Sequence, residues 1–342
     1  MKNPIDLSIG YPEGETPVHI KLAGINAIRM GFTRYTPASG ISELRSAIAE
    51  KLEKVNGIDM SPEAVSVLPG ATTGILLTYL AVLNPGDEII VPDPFFPPYR
   101  DLAFVVGAKP VFVDTYPDFR LRASEIAKKI TRKTKAIILN TPNNPTGAVY
   151  PKSEIIKIAR LAKRKNLLVI SDEIYEFFTY GKPHFSIGSV YPNTITLNSF
   201  SKSYSMTGWR IGYAAGPREI IDAINELAQY TVFSTSSIAQ KAALAAVKRP
   251  PTLLILKYKR KNKLVRQNID VGRIYGMKGA YYAFIRTPQG MTDLEFAKRA
   301  EERNMIVLPG RAFSNRKDYI RISYAKKEYV LRKALRILNE IK

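Results

Sequence analysis

The sequence predicts an α/β protein in which a large domain with a mostly parallel mixed sheet, flanked by helices, is joined to a smaller α+β domain. Between about residues 62 and 216, short apolar runs alternate with helical segments. From about residue 252 the pattern changes to a strongly basic helix followed by strand-like and helical segments. A length of 342 residues also favours about two domains. We therefore assign residues 31–252 to the large domain and 253–342 to the small one.

The predicted strands of the large domain are continuously apolar, which is typical of a parallel sheet buried on both faces. They are Val65–Leu68, Glu88–Val91, Pro110–Val113, Lys135–Leu139, Leu167–Ile170 and Ile195–Leu197, with helices at Thr72–Leu83 and Lys152–Lys165. In such sheets ligands bind beyond the carboxyl ends of strands. Asn140, Asp172 and Ser199 follow three of these strands, so we expect a site there.

The small domain is predicted from three strand patterns and the helices around them. The strands are Gly279–Ile285, Met305–Leu308 and Tyr319–Ser323, the helices cover 292–303 and 326–341, and Lys257–Arg266 suits a basic surface helix. These elements indicate a compact α+β unit.

Composition excludes several kinds of chemistry. The chain has no cysteine and two histidines, which excludes disulfides, thiolate catalysis and cysteine zinc sites and argues against any metal site. It contains no run of about 20 apolar residues, as a membrane helix requires. The N-terminus lacks the apolar core of a signal peptide, so we expect a cytoplasmic protein without a membrane partner.

The net charge of +21, from 51 Lys and Arg against 30 Asp and Glu, raises the question of nucleic-acid binding. The basic residues are dispersed rather than gathered in one arm. We expect non-specific attraction to polyanions at low salt and no specific nucleic-acid partner.

Lys202 is the candidate catalytic residue. It ends the run Ser199-Phe200-Ser201-Lys202, and Arg210 follows eight residues later. An amine beside hydroxyl groups and a guanidinium suits a Schiff base with an aldehyde whose phosphate is held nearby. This combination predicts a pyridoxal 5'-phosphate enzyme, with a surface lysine as the alternative.

Four further residues fit the ring of that cofactor. Asp172, after a buried strand, would pair with the ring nitrogen and so keep the ring an electron sink, although a helix cap is the alternative. Tyr175 and Asn144 would reach the ring oxygen, with core packing and an ordinary turn as the alternatives. Phe96 would stack on the ring unless it is simply a core aromatic.

Small residues at a helix start would hold the phosphate. The predicted contacts are Gly70, Ala71 and Thr72, completed by Ser199, Ser201 and Arg210. The chain has neither a Walker A run nor a G-x-G-x-x-G fingerprint, which argues against nucleotide hydrolysis and dinucleotide binding. Arg321, among apolar strand residues, would bind the α-carboxylate of a substrate, with an exposed strand face as the alternative.

Together these motifs resemble the class I/II aminotransferases, the fold type I pyridoxal phosphate enzymes similar to aspartate aminotransferase. The resemblance rests on Leu7–Pro12, Tyr35–Gly40, Glu43–Arg45, Asn143–Gly147, Asp172–Tyr175, Ser199–Lys202, Pro309–Gly310 and Tyr319–Ser323. It implies a homodimer in which Tyr35 reaches the partner's cofactor phosphate. It also implies that Gly10 contacts substrate and that residues 1–30 pack with the small domain. The N-terminal arm usual in the family is expected to be missing or minimal.

The predicted reaction is transamination between an L-amino acid and a 2-oxo acid, with 2-oxoglutarate as the expected acceptor. It would be ping-pong through an aldimine on Lys202, with Arg321 and Asn144 holding the substrate. A lyase or synthase on the same fold is one alternative. A basic, nucleic-acid-binding regulator that uses the same cofactor is the other.

Overall fold

A seven-stranded mixed sheet forms the centre of the large unit. The computed structural model describes residues 4–270 and 273–342. The strands are β1 (Ile5–Asp6), β2 (Val65–Leu68), β3 (Glu88–Asp93), β4 (Lys109–Asp114), β5 (Thr134–Asn140), β6 (Leu168–Asp172), β7 (Thr194–Ser199), β8 (Gly212–Ala215), β9 (Tyr282–Arg286), β10 (Met305–Ile306), β11 (Leu308–Pro309) and β12 (Tyr319–Ser323). The central sheet has the order β2-β8-β7-β6-β5-β3-β4 and only β8 runs antiparallel to its neighbours, which confirms the predicted mostly parallel sheet.

Helices cover both faces of this sheet. The described residues form the helices α1 (Val18–Arg29), α2 (Ser42–Lys51), α3 (Ala71–Val82), α4 (Pro98–Val105), α5 (Ala123–Ala127), α6 (Lys152–Lys165), α7 (Phe200–Ser203), α8 (Arg218–Thr231), α9 (Ser237–Val247), α10 (Thr252–Asn268), α11 (Asp293–Glu302) and α12 (Glu328–Glu340). Of these, α10, α11 and α12 pack in the core of the small unit instead. Among the residues described, no helix combines the length and the apolarity that a membrane span requires.

Successive strand residues serve opposite cores, which explains the continuous apolar runs. Ile138 packs in the core that contains α3, α4 and α8, whereas Ile137 packs in the core that contains α6. Because side chains of a strand alternate between faces, both faces must be apolar when both are covered. Ile89 and Ile90 of β3 divide in the same way.

The small unit is built on an antiparallel sheet of order β11-β12-β9. Its core also includes Leu7 from the N-terminal segment, and β1 pairs in parallel with β10, with Ile5 opposite Met305. The start of the chain is therefore anchored to the C-terminal part. The helix α1, by contrast, packs against α9. The domain boundaries at residues 30 and 252 stay a prediction.

The structure differs from the strand prediction at three places, one of which is β1, a two-residue strand that was not predicted. The run Met305–Leu308 is divided between two sheets, because β10 pairs with β1 whereas β11 pairs with β12. The strand β8 was not predicted. It is four residues long and lies inside the sheet, so it carries too little pattern to be distinguished from a loop.

The carboxyl ends of three adjacent strands come together at one edge of the central sheet. Asn140 of β5 lies opposite Asp172 of β6, and the Asn140 amide donates to the backbone oxygen of Asp172 at 3.0 Å. Ser199 ends the next strand, β7. The three residues predicted to follow strand ends therefore lie at one edge.

Candidate active site

A cavity of about 320 Å³ lies at this edge of the sheet and is closed by residues from the small unit and the N-terminal segment. Its lining is Gly10, Gly70, Ala71, Thr72, Ile75, Phe96, Asn144, Asp172, Ile174, Tyr175, Ser199, Ser201, Lys202, Thr207, Arg210, Tyr282 and Arg321. Every predicted site residue lines this cavity except Tyr35. Residues that are up to about 310 positions apart in the chain are thus brought together.

Asp172 is a buried carboxylate at the bottom of the site. Its Oδ2 accepts a hydrogen bond from the Tyr99 hydroxyl at 2.6 Å, and its Oδ1 accepts from the backbone N–H of Ile174 at 3.2 Å. Burial raises the pKa of Asp172 to about 6, and the hydrogen bond from Tyr99 opposes this rise. The residues after Asp172 form turns, so its carboxylate does not cap a helix. An ionised Asp172 here is best stabilised by a cation in the cavity.

Lys202 follows the strand β7 and lies in the short helix α7. Its Nζ donates to the backbone oxygen of Gly10 at 2.7 Å. Gly10 has no room for a side chain, since a Cβ there would lie 1.9 Å from the Tyr282 hydroxyl oxygen. The N-terminal segment therefore contacts the Lys202 amine through its backbone.

A cluster of hydrogen-bond donors surrounds one end of the cavity. Gly70 precedes α3, a 12-residue helix whose first backbone N–H groups have no intrahelical partner. The Ser199 side chain caps α7 by accepting from the N–H of Ser201 at 3.1 Å, and the two hydroxyl oxygens are 2.9 Å apart. Free N–H groups, two hydroxyls and the guanidinium of Arg210 suit an anion such as phosphate.

Arg210 is fixed by its backbone as well as by its contacts. Its φ of 52° is left-handed, and its guanidinium donates to the backbone oxygens of Thr207 at 3.1 Å and Pro69 at 3.2 Å. Gly70 also has a positive φ, 92°, and a Cβ there would lie 2.9 Å from Nη2 of Arg210. Glycine at residue 70 thus lets the guanidinium approach the helix start.

Arg321 is a buried cation on β12. Its Nη1 donates to Oδ1 of Asn144 at 3.2 Å, and Nη2 donates to the backbone oxygen of Ser8. The guanidinium also lies over the rings of Tyr282 and Phe313, 4.6 and 4.5 Å from their centres. It forms no ion pair among residues 4–270 and 273–342, and its buried Nε has no hydrogen-bond partner there. An anionic ligand would meet this unsatisfied charge.

Tyr175 and Asn144 occupy opposite loops around the same space. The Tyr175 and Tyr282 hydroxyl oxygens are 2.8 Å apart, and burial together with Tyr282 raises the pKa of Tyr175 well above its usual value. Tyr175 is therefore a neutral hydroxyl at physiological pH. Asn144 is held by a hydrogen bond from its backbone N–H to Oδ1 of Asn140, at 2.9 Å.

Of the two predicted aromatic contacts, Phe96 lies in the cavity and Tyr35 lies outside it. Phe96 lines the cavity and meets Tyr99 edge-on, with ring centres 5.6 Å apart. Tyr35 does not line the cavity of its own chain: it is 82% exposed and contacts Phe233. Its expected role through a partner subunit stays a prediction.

The residues of the cavity fit pyridoxal 5'-phosphate. A buried carboxylate matches the ring nitrogen, neutral Tyr175 and Asn144 match the ring oxygen, and the helix start with its serines matches a phosphate. An amine, that of Lys202, lies in the same cavity. This cofactor would satisfy the hydrogen-bond donors around the helix start and the buried carboxylate of Asp172, and the carboxylate of an amino acid would satisfy the buried guanidinium of Arg321.

Sequence reasoning missed several residues of the site. Tyr282 is the most important, because it contacts Tyr175 and Arg321. Tyr99 binds Asp172 from outside the cavity lining. Both tyrosines sit in aromatic runs that fit core packing equally well, so only their tertiary contacts distinguish them.

Comparison with known proteins agrees with this reading. Residues 2–338 match the family model described as aminotransferase class I and II. The aspartate aminotransferase of Pyrococcus abyssi is 39% identical over 100% of this chain and 92% of its own length. The aromatic-amino-acid aminotransferase 2 of Thermococcus litoralis is 37% identical, with 98% and 91% covered. A solved structure of Thermus thermophilus aspartate aminotransferase with maleate has a TM-score of 0.96 at 37% identity, with 99% and 92% covered.

The chain therefore belongs to the class I and II aminotransferases, and its fold is that of the aspartate aminotransferases. It is a pyridoxal phosphate-dependent aminotransferase. The named relatives differ in the amino acid that they act on, so the family does not decide the amino donor.

Proposed function

We propose that this aminotransferase transfers the amino group of an L-amino acid to 2-oxoglutarate in two half-reactions that share one cavity. The observation that carries the proposal is the meeting of an amine, a buried carboxylate and a buried, unpaired guanidinium in that cavity: Lys202, Asp172 and Arg321. Each group suits one part of the cofactor or the substrate.

The cofactor supplies an electron sink for the negative charge left on the substrate Cα when its proton is removed. Asp172 stabilises this sink, because its carboxylate favours a positive charge on the ring nitrogen. Tyr175 donates a hydrogen bond to the ring oxygen, and Asn144 helps to hold that oxygen and the substrate.

Lys202 supplies the amine that the cofactor aldehyde reacts with. Nζ of Lys202 would take the proton from the substrate Cα and give it up on the cofactor side, so that the amino group stays with the cofactor when the 2-oxo acid leaves. Arg321 holds the substrate α-carboxylate through its planar fork, while Asn144 and the backbone at Gly10 complete the contact. Phe96 covers the ring, and Gly70, Ala71, Thr72, Ser199, Ser201 and Arg210 bind the phosphate.

Product analysis tests this reaction against elimination. The protein is incubated with the cofactor, one amino acid and 2-oxoglutarate, and glutamate and ammonia are both measured. We expect one glutamate for each 2-oxo acid formed from the donor. Release of ammonia without glutamate would indicate a lyase instead. Repeating the assay with each of the twenty amino acids identifies the donor.

We further infer that two copies associate through the surface formed by α1 and the segment from α1 to Tyr35. In this part of the chain Val18 and Leu22 of α1, Met30 and Tyr35 are 65%, 51%, 85% and 82% exposed. Apolar patches of this kind mark protein interfaces. Sedimentation should give a dimer for the wild type and a monomer for Leu22→Asp. A monomeric wild type would contradict the inference.

A further inference from the structure

A buried group of charged side chains lies behind the end of β6, outside the cavity. Glu173 and Glu176 follow Asp172 in the chain and are 0% and 5% exposed. Neither lines the cavity, and the proposed reaction uses neither. Burying two carboxylates is costly unless cations and hydrogen-bond donors surround them.

Glu176 has three partners from two parts of the fold, namely α2 with its helical continuation to Asn56, and β7. Its Oε1 forms an ion pair with Nζ of Lys51, at the end of α2, and accepts from Nδ2 of Asn198 at 2.8 Å. Its Oε2 accepts from Nδ2 of Asn56 at 2.7 Å. Lys51 also donates to Oδ1 of Asn56 at 2.9 Å, so the three side chains hold one another.

Asn198 carries this contact to the anion-binding end of the cavity. While its amide nitrogen binds Glu176, its Oδ1 accepts from the backbone N–H of Ser199 at 2.8 Å. Ser199 in turn caps α7 through the N–H of Ser201. An unbroken series of hydrogen bonds therefore joins Glu176 to the two serines of the predicted phosphate contacts.

The charges of the group balance when His184 is protonated. Glu173 lies 2.9 Å from Nε2 of His184 and accepts from Ser171 at 2.8 Å and Ser186 at 2.6 Å. Burial lowers the pKa of His184, and the nearby charge of Lys51 lowers it further. The negative charges of Glu173 and, to a smaller extent, Glu176 outweigh these effects, so the pKa of His184 is raised. With His184 protonated, the two carboxylates of Glu173 and Glu176 face the two cations of His184 and Lys51.

We propose that Glu176 is a positioning residue for the cofactor phosphate, acting through Asn198 on Ser199 and Ser201. This rests on the proposed function, in which the two serines bind that phosphate. A carboxylate holds an amide donor more strongly than a neutral acceptor does, so it fixes the Asn198 side chain and with it the N–H of Ser199. Glu176 itself touches neither cofactor nor substrate.

The test compares two aldehydes that differ only in the phosphate. Full-length protein stripped of cofactor is titrated with pyridoxal 5'-phosphate and with pyridoxal, and binding is followed by absorbance. For Glu176→Gln we expect the affinity for pyridoxal phosphate to fall about tenfold, which corresponds to about 1.4 kcal/mol. We expect the affinity for pyridoxal to stay within about twofold. Glu328→Gln, in an exposed ion pair with Arg332, is the matched control and should change neither affinity.

Equal losses for both aldehydes would show a general disturbance of the site and overturn the proposal, as would the absence of any loss. If the wild type itself does not prefer the phosphorylated form, the proposed phosphate site fails, and the role of Glu176 falls with it. If the wild type prefers pyridoxal 5'-phosphate to pyridoxal and Glu176→Gln keeps the same preference, only the positioning role of Glu176 is refuted.

Two more variants protect the test against misfolding. Glu176→Gln leaves Lys51 buried without its anion, so Lys51→Met/Glu176→Gln removes both charges and should fold while showing the same selective loss. Asn198→Ala should reproduce that loss, and combining it with Glu176→Gln should add little, because both act in one series of contacts. Additive losses would contradict the proposed connection.

Discussion

Replacing Arg321 by methionine tests how the proposed carboxylate site works. Methionine keeps an unbranched apolar stem, but it is shorter than arginine and removes the charge, the donors and the guanidinium that lies over Tyr282 and Phe313. In the part of the chain that the structure describes, the guanidinium is buried, donates to Asn144 and the Ser8 backbone, and has no carboxylate partner. Arg321→Met should therefore not lower the melting temperature, because an unpaired buried charge is removed.

The loss of the Arg321 guanidinium should instead appear in the kinetics, when a substrate carboxylate has to bind. Hydrogen bonds that involve a charged group each contribute about 1.5–3 kcal/mol, and two of them converge on a carboxylate in a fork. Allowing for desolvation, we expect the transition state to lose about 3–4 kcal/mol of stabilisation, so that kcat/KM falls about 10²–10³-fold. Arg321→Lys should recover part of this loss, since lysine keeps the charge but not the planar fork.

The assay measures kcat/KM for two good amino donors with dissimilar side chains. The loss should be the same for both, because the α-carboxylate is common to all amino acids. Arg332→Met, which removes an exposed arginine paired with Glu328, should leave kcat/KM unchanged. A loss confined to one donor would assign Arg321 to side-chain recognition and refute this reasoning.

Four other substitutions test Lys202, Asp172 with its neighbour Tyr99, and Gly70. Lys202→Ala should leave no borohydride-trapped adduct at that residue and lower turnover by at least about 10²-fold; full activity would remove Lys202 from its role. Because the pKa of Asp172 is raised to about 6 without cofactor, cofactor affinity should fall as pH drops below 6, by at most about tenfold per unit. Tyr99→Phe should shift that fall to higher pH and Asp172→Asn should abolish it, as titrations at several pH values would show. Gly70→Ala should destabilise the fold by about 1 kcal/mol or more in chemical denaturation, because of its positive φ and the contact with Arg210.

Much of this fold could be predicted because burial on both faces leaves a simple pattern. The predicted helix Lys152–Lys165 and the predicted strand Tyr319–Ser323 agree with the structure residue for residue. The residues at strand ends were also predictable, since parallel strands bring their carboxyl ends to one edge.

What could not be predicted depends on contacts between distant segments. Nothing in the sequence around Tyr282 shows that its ring lies under Arg321, and nothing around Lys51 shows that it pairs with Glu176. The division of Met305–Leu308 between two sheets likewise depends on pairing with β1, almost 300 residues earlier. Local propensity carries no information about such partners.

The cavity takes the amine of Lys202 and the buried guanidinium of Arg321 from different parts of the molecule. Arg321 belongs to the antiparallel sheet of the small unit, whereas Lys202 follows a strand of the central sheet. A rotation of the small unit against the central sheet would change the distance between the Arg321 guanidinium and the Lys202 amine. Substitutions in the segments that connect the small unit to the central sheet would therefore alter which substrate lengths fit, without replacing any residue that contacts the substrate.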